Sequence, residues 1–156
     1  MIIRDDLIKD ALPRTPTLYS YKLQTEHQSF YNTPPTYAWY IAGLVLAWTK
    51  RHGGLKAFAE INKRKAQRLY QFIDESNGFY TNNVNPDCRS RMNIPFNLVK
   101  ADLTATFLNE ATDAGLTNLK GHKLAGGVRA SIYNAMPEAG VDALLDFMRD
   151  FAKKFG

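Results

Sequence analysis

Cysteine is almost missing from this chain. One thiol, Cys88, among 156 residues excludes an internal disulfide and any CxxC metal site, and suits a reducing compartment. Cys88 follows Pro86 in a polar loop with no histidine nearby to activate it, and reads as an inert thiol. Long apolar runs are missing too: the greasiest uncharged stretch, residues 38–48, falls well short of the ~20 residues a membrane span needs. Charges scattered through the first twelve residues argue against a signal peptide. These features predict a soluble, cytoplasmic protein. No HExxH, GxSxG or Walker loop occurs, and no His/Asp spacing suggests a metal; repeats and low-complexity segments are also lacking.

What remains is a mildly basic chain, 45% hydrophobic, with formal charge +5 and pI near 9.3. That balance fits acidic metabolites, and also weak nonspecific attraction to nucleic acid. A chain of this length buries roughly two thirds of its unfolded surface and permits a single domain.

Residues 1–4 (MIIR) read as a strand, with an acidic helical turn over 5–10. Pro13, Pro16 and the polar run to Ser29 lack a sustained helical period, and such a long irregular segment is expected to be functional or to lie at an interface. Thr33 caps a helix over about 35–52, apolar nearly all round through Trp39, Ile41, Leu44, Val45, Leu46 and Trp48, hence expected to be buried on more than one side. Gly53-Gly54 stop it, and Lys50, Arg51 and His52 suit its negative end. A second helix over about 55–76 carries Phe58, Ile61, Leu69, Phe72 and Ile73 at helical spacing. Lys63, Arg64, Lys65 and Arg68 crowd its middle; without interleaved aromatics they read as a solvated face, not a base-stacking surface.

Past the turn at Asn77-Gly78 the pattern shortens: strands over 79–84 and 91–98, a helix over 101–114, a brief strand over 116–119, another over 128–133, and an amphipathic helix over 137–155. Pro95 places 91–98 at a sheet edge or a bulge. The order β-β-α-β-β-α implies a compact open-faced α/β sandwich, and the composition shifts near Gly78.

The chemistry concentrates in residues 121–137, GHKLAGGVRASIYNAMP. Gly126-Gly127 permit a sharp bend at no steric cost, bringing His122 and Lys123 toward Arg129. Arginine supplies a bidentate fork for a carboxylate, and several cationic donors suit a phosphate. The stretch reads as a reader of a small anion carrying both groups, with solvated surface charge as the default alternative. His27, isolated in TEHQ, reads as polar surface.

That wording closely resembles the substrate-binding segment of the phosphoserine aminotransferase family. SFYNTPPT (29–36), RSRMNIPF (89–96) and IYNAMP (132–137) are similar to further parts of the same family, so the likeness runs the length of the chain. The resemblance implies a class V, fold-type I pyridoxal-phosphate aminotransferase acting on glutamate and 3-phosphohydroxypyruvate in serine biosynthesis, as a homodimer. It implies that Asn32 and Thr33 bind the pyridoxal 5'-phosphate held mainly by the partner subunit. It implies that His122 and Lys123 hold the substrate phosphate and that Arg129 clamps the α-carboxylate. Lys123 departs from the family's usual arginine and lacks its planar fork.

The family's Schiff-base lysine and pyridine-pairing aspartate belong to a segment ahead of the one residues 1–4 resemble, and none of the eleven lysines here matches that context. The implied architecture is the carboxy-terminal portion of the α/β transferase fold: a large-domain remnant (1–34), connecting helices (35–77) and a small substrate-binding domain (78–156). Without that lysine the chain alone is expected to be inactive. A non-catalytic anion-binding or dimerising module is the alternative from a different class, and nucleic-acid binding a third.

Overall fold

The computed structural model describes residues 2–156, which divide into two compact units, Met1–Arg51 and His52–Gly156.

The first unit is short helical pieces and one long helix. Met1 of the expected first strand lies outside the described residues; residues 2–4 form no strand and lead into a 3₁₀ turn at Asp5–Leu7. Apolar composition over four residues was the only signal there, and no neighbouring strand in the unit completes a ladder. The segment expected to be irregular holds a 3₁₀ turn at Thr17–Tyr19 and a short helix, α1 (Tyr21–Glu26), capped by Ser20 Oγ accepting from Leu23 N–H at 3.3 Å. Six residues are too few to show a helical period, so only the cap marked it.

Helix α2 (Thr36–Arg51) forms where expected, but no residue on it is buried. Tyr37 is 78% exposed and Leu46 70%. Its first turn closes with Trp39 N–H on Pro35 O, so the cap position falls on Pro35 and not on Thr33. The unit offers α2 no sheet to pack on; Phe30 meets Trp39 edge-on at 6.1 Å.

The second unit is a three-stranded antiparallel sheet under helices. It comprises α3 (Gly54–Asp74), β1 (Tyr80–Thr81), β2 (Asn93–Leu98), α4 (Leu103–Asp113), β3 (Val128–Ser131) and α5 (Glu138–Phe155). The strand order is β1-β2-β3. Ile94, Phe96 and Leu98 of β2 with Val128 and Ala130 of β3 face inward and meet Leu69 and Ile73 of α3, Phe107 of α4, and Val141, Leu144, Met148 and Phe151 of α5. Tyr80 is buried with its hydroxyl donating to Met148 O at 2.8 Å, and burial pushes that phenol far up. Asn93, Pro95, Asn97, Arg129 and Ser131 alternate onto the other, open face.

Two expectations change here. Residues 116–119 form no strand; a single bridge pairs Lys120 with Val128, and Arg129 N–H reaches Leu119 O at 2.7 Å. Pro95 sits in the central strand, not an edge one. It pairs with Arg129, whose own N–H points away to Leu119, so the proline nitrogen faces the β1 side of the sheet. There β1 has already ended at Thr81, and Asn82 Nδ2 donates to Pro95 O. The missing N–H therefore costs no ladder bond.

Candidate functional site

In the second unit, the loop 121–127 links Lys120 to Val128. His122 O accepts from Ala125 N–H at 3.0 Å and Gly126 N–H at 2.8 Å, and Gly121 N–H donates to Gly127 O at 2.9 Å. Gly126 and Gly127 lie at φ +67° and +63°, the left-handed region the diglycine was expected to supply. The bend is nonetheless a closed loop of seven residues, 121–127, not a two-residue turn, because the pairing stops at Lys120–Val128.

Close approach fixes two of the glycines, Gly121 and Gly127. A Cβ on Gly121 would stand 1.8 Å from Gly126 O, and one on Gly127 2.2 Å from Asn97 Oδ1. Gly126 has open space around it. Gly121→Ala is thus expected to open the loop at a cost of about 1–3 kcal/mol, read by chemical denaturation together with lost hydrogen-exchange protection at the Arg129 amide. Gly126→Ala should cost only its left-handed strain, about 1–2 kcal/mol, with that protection kept.

His122 is exposed, and its Nδ1 accepts from Leu124 N–H at 3.2 Å. With Nδ1 accepting, Nε2 is the ring nitrogen left to donate. Lys123 is exposed beside it, with no ion partner among the described residues. Arg129 is half-buried, and its Nε is buried without an acceptor. The backbone ladder thus brings the three sequence-identified basic residues onto one hairpin, with arginine at its base and imidazole and ammonium in its loop.

Asn32 and Thr33 lie in the first unit, exposed just ahead of α2. Asn32 Nδ2 makes only a 3.4 Å contact to Thr33 O, so amide and hydroxyl are available as donors beside a helix N-terminus. Such a set fits a phosphate.

One residue was misread from the sequence. Lys65, placed on the solvated face with Lys63, Arg64 and Arg68, is fully buried. Its Nζ donates to Ile132 O at 3.1 Å, Tyr133 O at 2.8 Å and Met136 O at 2.9 Å. Burial holds this ammonium below the ordinary lysine range, with Glu138 opposing. Asn62 Nδ2 adds a bond to Asn134 Oδ1 at 2.7 Å, and Arg64 pairs with Glu138 at 2.7 Å. Together α3 clamps the connection from β3 to α5. The available signal was register: 58, 62, 65, 66, 69, 70 and 73 make one stripe, and Lys65 lies on it.

The sheet, its helices and this hairpin can be set beside known proteins. The family model described as aminotransferase class-V matches residues 2–144. The chain belongs to the class-V aminotransferases. Within that family it is 55% identical over 157 aligned residues to a phosphoserine aminotransferase of Coxiella burnetii (strain RSA 331 / Henzerling II), covering 100% of this chain and 43% of the relative. It is 54% identical to one from Acidithiobacillus ferrooxidans (strain ATCC 53993 / BNL-5-31), again over 43% of the relative's length. The solved phosphoserine aminotransferase from Bacillus circulans subsp. alkalophilus superposes with a TM-score of 0.91 at 40% identity, over 99% of this chain and 43% of that one. A pyridoxal-phosphate-bound phosphoserine aminotransferase from Trichomonas vaginalis gives 0.82 at 41% identity, over 90% and 40%. This class-V aminotransferase chain thus spans less than half the length of these relatives.

Proposed function

We propose that this chain is the carboxy-terminal, substrate-reading part of a phosphoserine aminotransferase. The whole enzyme transfers an amino group between L-glutamate and 3-phosphohydroxypyruvate, giving O-phospho-L-serine for serine biosynthesis in the cytoplasm. Arg129 carries the reading: a half-buried guanidinium with no ion pair among the described residues stands at the base of a basic hairpin, and a carboxylate is the partner its fork fits. His122 Nε2–H and the Lys123 ammonium take the phosphate. Asn32 and Thr33 steady the phosphate of pyridoxal 5'-phosphate across a homodimer interface. That cofactor, when bound, supplies the electron sink for amino-group transfer.

Residues 1–34 then close the large cofactor domain, 35–77 connect, and 78–156 form the small substrate domain. The uncovered apolar length of α2 supports its being covered in the whole enzyme. None of this chain's eleven lysines stands in the family's Schiff-base context, and the buried one, Lys65, is held by three carbonyls, so the chain alone is expected to be inactive.

Two assays test the proposal. The chain alone, given pyridoxal phosphate, glutamate and 3-phosphohydroxypyruvate, is expected to form no phosphoserine. Fused behind the remaining amino-terminal part of the Coxiella relative, it is expected to turn over at a rate within about tenfold of that enzyme. Turnover by the chain alone refutes its inactivity, and a folded, cofactor-loaded but dead chimera refutes the function.

A further inference from the structure

We propose that Asn93 is a second carboxylate-binding residue, its side-chain amide donating to the same ligand group that Arg129 holds. This rests on the reading of Arg129 given above. Strands β2 and β3 pair Asn93 with Ser131 and Pro95 with Arg129, and all four side chains alternate onto the open face. Asn93 and Arg129 are therefore diagonal neighbours, roughly 7–8 Å apart at the backbone and within reach of a long side chain.

The amide is oriented from one side only. Ser131 Oγ–H and Tyr133 Oη–H both donate to Asn93 Oδ1, each at 3.1 Å, filling its two lone pairs. Asn93 Nδ2 has no acceptor among the described residues, so both its hydrogens remain to be satisfied. The Arg129 charge also reaches the Tyr133 hydroxyl, which itself touches Asn93. Pro95, between them in sequence, brings no polar side-chain atom to compete. A carboxylate, with four lone-pair sites, can accept from both residues where a single-point anion does not.

The test is titration of the 156-residue chain with L-glutamate and, separately, with inorganic phosphate, followed by NMR shift changes at pH 8. Asn93→Asp keeps an oxygen for both hydroxyls, removes the amide donor and adds a repelling charge. It is expected to weaken glutamate binding about tenfold or more and to leave phosphate binding within about twofold. Tyr133→Phe removes one anchor from an exposed ring and is expected to cost about twofold to fivefold. Arg129→Gln, which tests the underlying reading, should weaken glutamate more than either.

Glutamate binding by Asn93→Asp within twofold of wild type, with Arg129→Gln impaired, overturns the role of Asn93 and leaves the function standing. An Arg129→Gln variant that binds normally, or a wild type with no saturable glutamate site, overturns both. Should Asn93→Asp not fold, an unaffected Tyr133→Phe is the overturning result.

Discussion

Lys65→Ala is expected to destabilise the second unit by about 3–4 kcal/mol, a fall in Tm of roughly 15 °C or more. Three carbonyls, Ile132 O, Tyr133 O and Met136 O, lose a shared cationic donor, and the buried stem leaves a void beside Ala66 and Leu69. Lys65→Met separates the two losses: it refills most of the void and leaves the carbonyls unpaired, so it should recover only the packing share. Calorimetry on both variants checks this. A Met variant as stable as wild type would mean that the three hydrogen bonds contribute nothing net.

The pH dependence carries its own sign. The folded-state pKa of Lys65 lies below its unfolded value, so the unfolded chain binds more protons between the two. From this group, stability rises as pH climbs through the folded pKa toward about 10.5, the ordinary lysine value. Wild type should therefore gain on Lys65→Met over that alkaline window.

Lys65 also shows where sequence reading stops. A run of Lys63, Arg64 and Lys65 looks like one charged patch, yet successive helical positions point about 100° apart, and only register against the core separates the third from the first two. Its acceptors lie 67 to 71 residues away, beyond any local pattern. The same limit explains Pro95: a central strand was legible only once β1 proved two residues long. What was legible was local. Gly53 ends one long helix, and the stripe from Phe58 to Ile73 defines the next. The diglycine needs a left-handed bend, so the meeting of loop and strand could be anticipated from residues 121–129 alone. Asn93 escaped notice because an asparagine carries no signature until its cross-strand hydroxyls are known.

Arg129→Gln in the active chimera is expected to lower kcat/KM about 100-fold or more, some 3 kcal/mol. The loss should fall on both half-reactions, because a carboxylate is common to glutamate and to the phosphorylated substrate. His122→Ala removes the Nε2–H donor we propose for the phosphate, so its loss, about tenfold, should appear with 3-phosphohydroxypyruvate and not with glutamate. Glutamine at position 129 keeps a donor and much of the stem, which leaves the ladder from Arg129 N–H to Leu119 O intact and confines the change to the head group. Steady-state kinetics with each substrate varied in turn reads the two patterns apart. An Arg129→Gln defect confined to the phosphorylated substrate would move the arginine to the phosphate end of the site, and an equal His122→Ala defect with glutamate would remove the division of labour along the hairpin.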